Sequence, residues 1–300
     1  MAKEQLLTPS PSPPPPTPTS TLPAQINVAT RKQHTLLNRL IIDRLPLALP
    51  PYASDPALLG QGLAAFSRIF LVFEEAWDAL DSENVVARCG ETVSERRLAT
   101  LRPKALRRSS RLKVDVEHIA QRAGVKSFAT TSAQLAMLER MALEIQLKPH
   151  VLIAYGWVMY MAIFSGGRWI RQQFTNAGTE FWTPQPGGMQ GEQEKVHSSG
   201  LPGFTFLFFE GEQDGEDIKA EFKARLAEAD SLLTQDQRQD VIDAAQRLFE
   251  DCIALVEILD REVLWQKIWS KLPATIGCIA MALVTFLLYY FSRSGSWTPY

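Results

Sequence analysis

The chain is 300 residues long, 46% hydrophobic and 21% charged, with a formal net charge of −2. Such a composition excludes a disordered, collagenous or disulfide-rich protein, and the balanced charge argues against a nucleic-acid binder, whose working surface is basic. Three scattered cysteines (Cys89, Cys252 and Cys278) form no Cys-x-x-Cys pair, and four scattered histidines (His34, His118, His150 and His197) form no His-x-x-x-His pair, so a thiolate zinc site and a zinc hydrolase centre lack their ligands.

The averages conceal three unlike segments. The first holds Pro9, Pro11, Pro13, Pro14, Pro15, Pro16, Pro18 and Pro23 among serines and threonines. Proline fixes φ and donates no backbone hydrogen bond, so residues 1–29 are expected to be an extended, disordered tail. An SH3-type ligand is the alternative reading. A charged start followed by an apolar run, the mark of a secretory signal, is missing here.

Residues 30–272 read as one helical domain. Leu37, Ile41 and Leu45 recur at helical spacing and predict a helix over 31–45, with Thr30 as its N-cap. A second amphipathic helix is predicted over 58–80, with Pro56 near its start. Helices over 114–123 and 132–147 follow. Pro149 opens a long apolar helix over 151–174. Residues 183–203 form a loop rich in proline, glycine and polar residues, and helices over 218–229 and 235–270 close the body. Strand is confined at most to a fragment over 204–209, so the fold class is all-α.

The last segment, 274–291, reads ATIGCIAMALVTFLLYYF without a charge. Eighteen residues at about 1.5 Å each span about 27 Å, close to a bilayer's hydrocarbon core. Trp265, Trp269, Tyr289 and Tyr290 flank it, as interfacial aromatics do. A single transmembrane helix over 273–291 is therefore expected, a tail anchor with 292–300 as a short luminal tail and the domain facing the cytosol.

Two places in the body break the amphipathic rule. His34 shares a face with Leu37 and Ile41. It reads either as a satisfied core histidine or as the single axial ligand of a metal in a flat cofactor. Arg31 and Lys32, one turn earlier, are either a solvated basic turn or partners for that cofactor's carboxylates. Secondly, Ser165-Gly166-Gly167 interrupts the apolar run YGWVMYMAIFSGGRWIRQQF. Two glycines inside a helix cost about 1 kcal/mol each relative to alanine. With Ala162 and Gly156 they suit either close helix packing or a backbone face laid against a flat ligand.

These features in this order resemble the haem oxygenase family: an early helix with a lone histidine, Glu74-Glu75 late in the next helix, Tyr-x-x-x-x-Ser-Gly-Gly in a long mid-chain helix, then GFTFLFF, IKAEFKARLAEAD and DQRQDVIDAAQRLFEDCIALVEIL. The likeness covers roughly residues 30–291, including the C-terminal anchor. It implies a haem oxygenase-like multi-helix domain plus one C-terminal transmembrane helix. It implies His34 as proximal ligand to haem iron, and Ser165, Gly166 and Gly167 as the distal segment over the haem, with Ser165 and Gly166 nearest the reaction. Lys219 and Lys223, with Arg31, would face the propionates, and Phe249 would line the pocket. The implied reaction cleaves haem, at once substrate and cofactor, with O2 and electrons from NADPH delivered by a cytochrome P450 reductase-type donor. Its products are biliverdin, iron and carbon monoxide, and its place is the endoplasmic reticulum membrane.

The chain departs from the family's Gly-Asp-x-Ser-Gly-Gly, carrying Ala162 and Ile163 where the family has Gly-Asp. That Asp orders water that supplies a proton to iron-bound oxygen, which isoleucine does not do. A haem-binding protein without canonical oxygenase activity (sensor, carrier or weak peroxidase) is thus the second expectation. A tail-anchored helical adaptor is the third.

Overall fold

The computed structural model describes residues 21–81, 98–183 and 202–293, with side chains in the last helix as far as Leu264. The proline-rich segment up to residue 20, the loop over 184–201, Cys89 and His197 lie outside the described residues. So do the side chains of the expected membrane segment.

The helices, in chain order, are α1 (Leu22–Ala29), α2 (Arg31–Arg44), α3 (Ala57–Asp81), α4 (Ser109–Arg122), α5 (Ser132–Leu147), α6 (Leu152–Ser165), α7 (Gly167–Asn176), α8 (Thr179–Trp182), α9 (Glu216–Asp230) and α10 (Gln235–Arg293). Among the described residues there is no strand, and the region around Thr205–Leu207 is a 3-10 turn. The all-α expectation holds.

Three expectations need correction. The tail expected to reach residue 29 stops earlier: α1 starts at Leu22, and Leu22 and Ile26 are buried. Pro23 sits in its first turn, where the missing N–H costs nothing, and the Leu22 N–H donates to Asp230 Oδ2 at 3.0 Å. Thr30 does not cap α2; its hydroxyl donates backwards to the Ile26 carbonyl at 2.8 Å. The helix expected over 114–123 begins at Ser109, because its first N–H groups are capped by a carboxylate from α3 rather than by a local side chain.

Helix α3 is long and apolar enough to cross a bilayer, yet half of it is buried inside the protein. It packs on α4 and α5 and forms the centre of the core with α6 and α10. Gly156 on α6 shows how close that packing is. A Cβ there would lie 3.0 Å from the Trp77 ring and 3.3 Å from Phe222. Gly156→Ala is expected to destabilise the fold by about 1–3 kcal/mol through overpacking, read as a lowered denaturation midpoint.

Helix α10 is the spine on which α1, α2, α3 and α6 pack. Arg44 of α2 chelates Asp260, with 2.9 and 2.6 Å contacts. Gln61 of α3 donates to Glu262 at 2.5 Å, and Arg140 of α5 pairs with Asp251 at 2.5 Å. The backbone of α10 stays helical through 274–291.

Candidate functional site

The glycine pair breaks the long mid-chain helix where the sequence places it. Gly166 separates α6 from α7, yet its N–H still donates to Ala162 O at 2.9 Å and its carbonyl accepts from Ile170 at 3.0 Å. The two glycines serve different ends. A Cβ on Gly167 would meet Leu207 at 3.2 Å, so Gly167 is small for core packing. A Cβ on Gly166 would meet only the Ala162 carbonyl, at 3.4 Å. Among the described residues no neighbouring element packs against Gly166, which leaves its backbone uncovered there.

Along α6, residues 152–160 are all buried, whereas Ala162 and Ser165 are exposed and Gly166 partly so. With Trp169 on α7 they form one stripe at helical spacing. Ile163 falls off it: it is 8% exposed and lies beside Gly167. The open face therefore presents a methyl, a hydroxyl and bare backbone.

Helix α2 lies on the same spine. The His34 ring stands edge-on to Phe249 of α10, centroids 5.8 Å apart. His34 was expected among core-facing residues, but α2 buries none of its residues fully, and His34 is exposed. Among the described residues, neither ring nitrogen of His34 takes part in a hydrogen bond or ion pair. The other two described histidines are engaged: His118 Nε2 lies 3.0 Å from the Trp182 carbonyl, and His150 Nε2 3.0 Å from Asp240.

The expected cations divide. Arg31 and Lys223 are exposed, and no described residue pairs with either. Lys219 is half-buried and donates to Glu216 at 3.2 Å, a carboxylate that also receives Arg168. An anion at Lys219 therefore competes with Glu216.

A buried polar hub joins α6 to α3 and α4 around Glu74, which the sequence named only as part of the family pattern and not as a hub. Glu74 of α3 is fully buried. It accepts from the backbone N–H groups of Arg108 and Ser109, both at 2.8 Å, from the Ser109 hydroxyl, and from the Tyr160 hydroxyl at 2.8 Å. A carboxylate at the N-terminus of α4 meets that helix's unpaired donors and dipole. Burial, then Glu74, pushes the Tyr160 hydroxyl well above its usual range. The Arg108 guanidinium donates to Phe208 O at 3.0 Å and Ala105 O at 2.8 Å and covers the Phe209 ring at 4.2 Å. Burial lowers it to about 10. Phe209 in turn stacks on Phe164 of α6, centroids 4.8 Å apart. A closed chain of contacts (Tyr160, Glu74, Arg108, Phe209, Phe164) thus fixes the rotation of α6. A signal for it was present: Glu74 sits among buried Phe70, Phe73 and Trp77, where an unpaired carboxylate is too costly to stand.

Other chemistry is poorly supported. Among the described residues no group of three His, Cys, Asp or Glu side chains is placed to hold a metal ion. Cys252 is buried, and desolvation raises its thiol to about 12, which leaves no thiolate nucleophile there.

Among the described residues the fold is all-helical, the His34 imidazole is unengaged, and the face of α6 is uncovered at Gly166. The family model described as "Heme oxygenase" matches residues 20–257. The chain belongs to the haem oxygenase family. Among curated proteins, none matches by sequence. Solved structures share the fold. Haem oxygenase 2 from Chlamydomonas reinhardtii, solved without haem, is 20% identical with a TM-score of 0.58, covering 79% of this chain and 97% of that one. Haem oxygenase-1 from the cyanobacterium Synechocystis, in complex with haem, is 15% identical with a TM-score of 0.56, covering 88% and 100%. Haem oxygenase-2 from Synechocystis, with haem and NO, is 15% identical with a TM-score of 0.59, covering 81% and 87%.

Proposed function

We propose that this chain binds haem through His34 and acts as a haem oxygenase-type enzyme at a membrane. The observation that carries the reading is the free imidazole: of the described histidines, only His34 leaves both ring nitrogens unengaged. One neutral imidazole is the whole ligand requirement of a five-coordinate haem iron. The donor set fits in other respects too. Phe249 sets the His34 ring edge-on, Gly166 offers backbone that no described side chain covers, and Arg31 and Lys223 supply cations that no described residue pairs.

Haem, as substrate, supplies the iron and the porphyrin edge that O2 and NADPH-derived electrons convert to biliverdin, iron and carbon monoxide. The protein's share is to hold one face and to govern protons on the other. Ser165 carries an exposed hydroxyl on the open face, able to hold water and pass a proton. Ile163 can do neither, and its side chain packs inwards. This favours a second reading: a haem-binding protein whose ring opening is weak, the remainder of its turnover being haem bleaching or peroxidase-like oxidation. The tail anchor over 274–291, on the cytosolic face of the endoplasmic reticulum, and a cytochrome P450 reductase-type electron donor complete the proposal.

The test is hemin titration of the full chain in detergent, followed by reductase and NADPH. Saturable binding with biliverdin and carbon monoxide supports the enzyme, and bleaching without biliverdin supports the second reading. Ile163→Asp is expected to raise the biliverdin yield at some cost in stability, because it places a carboxylate in a nearly buried position. An unchanged yield in a folded variant would show that another group already manages the proton.

Gly166→Leu probes the open face separately. Its backbone is right-handed helical, φ −79° and ψ −29°, and no described residue packs over it, so the melting temperature is expected to hold or rise. Hemin affinity is expected to fall, read from the same titration. A stable variant that binds hemin normally would place the ligand elsewhere.

A further inference from the structure

Helix α2 runs parallel to α10. His34 meets Phe249, and Arg44, ten residues on, meets Asp260, eleven residues on. The turn that follows Arg44 therefore lies beyond the level of Asp260, towards the apolar segment that begins at Ala274. It returns to the body through α3, whose Gln61 is held by Glu262. Residues 45–54 read LPLALPPYAS and carry no charge. Within them Leu47 is 52% exposed and Tyr52 73%, Pro50 and Pro51 are exposed, and Leu264, one helical turn past Asp260 on α10, is 57% exposed. Of the acids near this pole, Asp260 is engaged by Arg44 and Glu262 by Gln61, while the exposed Asp43 and Asp55 that flank the turn meet Arg39 at 3.7 Å and the Ala57 N–H at 2.9 Å.

We propose that the turn over 45–54, together with Leu264, is a lipid-seating surface that rests in the headgroup layer of the bilayer. The inference rests on the tail-anchor reading and extends it from the last helix to the folded domain. From Leu264 to Ala274 the helix rises about 15 Å, and the headgroup layer accounts for about 5–7 Å of that on one side of a bilayer, which leaves about 8–10 Å for the turn's reach beyond Asp260 and for tilt to cover. Pro273 stands at the junction, where it removes one backbone hydrogen bond and favours a bend. A span tilted by about 20° brings one side of the pole down onto the lipid. Leucine, proline and tyrosine without charge suit that layer: aliphatic groups reach towards the acyl boundary while the tyrosine hydroxyl stays wet.

The experiment uses the full chain in lipid vesicles, with Cys89→Ser and Cys278→Ser to leave Cys252 buried and unreactive. A nitroxide is attached through Tyr52→Cys in one sample and Leu147→Cys in another. Leu147 is 71% exposed at the opposite pole, next to Lys148, which pairs with Asp240 near the start of α10. Collisions with lipid-soluble oxygen and with a water-soluble nickel chelate are measured. The expected result is higher oxygen access and lost chelate access at 52, with 147 open to the chelate. Chelate access at 52 equal to that at 147, in a chain that resists carbonate extraction, overturns the lipid seat and leaves the anchor standing. Shielding of 52 from both reagents also overturns it, since a second copy or another protein then covers the turn. Loss of the chain from the vesicles on carbonate washing overturns the anchor itself, and the seat with it.

Discussion

His34→Ala is expected to abolish the saturable Soret band that hemin gives with the full chain, leaving only weak, non-saturating partition. Removing an outer-shell partner of a metal ligand already costs about 10–100-fold in affinity, and loss of the only axial ligand exceeds that range. Because α2 buries none of its residues fully and the imidazole makes no hydrogen bond to a described residue, the variant is expected to keep its melting temperature without ligand. Loss of binding would then be local to the ligand and not a consequence of unfolding. Added imidazole gives a second check, since it can occupy the space left by the side chain and restore an axial nitrogen. A His34→Ala protein with an unaltered Soret band and affinity would refute the proximal assignment.

The second large effect is expected at Glu74. Glu74→Ala strips the acceptor from two backbone N–H groups, the Ser109 hydroxyl and the Tyr160 hydroxyl at once, all of them buried. Breaking such a network from one side costs about 3–5 kcal/mol. For a domain of this size that lowers the melting temperature by about 6–20 °C. Glu74→Gln keeps one acceptor oxygen and should lose less. Circular dichroism at 222 nm reads both, and a Glu74→Ala midpoint within a degree or two of the parent would mean that the hub does not hold α6. Because Tyr160 lies two residues before Ala162, the same variant should also weaken hemin binding through a misplaced helix face.

Much of the fold was legible because it is written in local periodicity. The apolar spacing along α3 and α5 gave helices within a residue or two of their ends. Where the reading slipped, the deciding contact was remote. The start of α4 reads RRSSRL, with no apolar rhythm, and is set by a carboxylate 34 residues earlier in the chain. Helix α1 hides behind a proline-rich stretch, because Pro23 looks the same in a solvated tail and in the first turn of a helix.

The site was legible in its parts and not in its arrangement. His34 and the glycine pair were singled out by residue type and Phe249 by the family resemblance, and the structure sets His34 against Phe249. The sequence could not assign opposite duties to Gly166 and Gly167, because that depends on Leu207, forty residues on. Nor could it show that Ile163 packs inwards while Ala162 looks out, since one helical step decides between them. The hub around Glu74 is the clearest instance. Its partners come from α3, α4 and α6, and no spacing along the chain encodes their meeting.

The shallow seating of α2 has a thermodynamic consequence. An element that buries no side chain fully gives up little when it opens, so its amides can exchange with solvent long before the domain unfolds. Any ligand that binds only the closed form stabilises it by mass action, by about 2.7 kcal/mol at a hundred times its dissociation constant. In this protein the helix that carries His34, the proposed ligand, is thus also the segment whose order is expected to depend most on what it holds. Its hydrogen-exchange rate is a direct gauge of occupancy, independent of whether any haem is consumed.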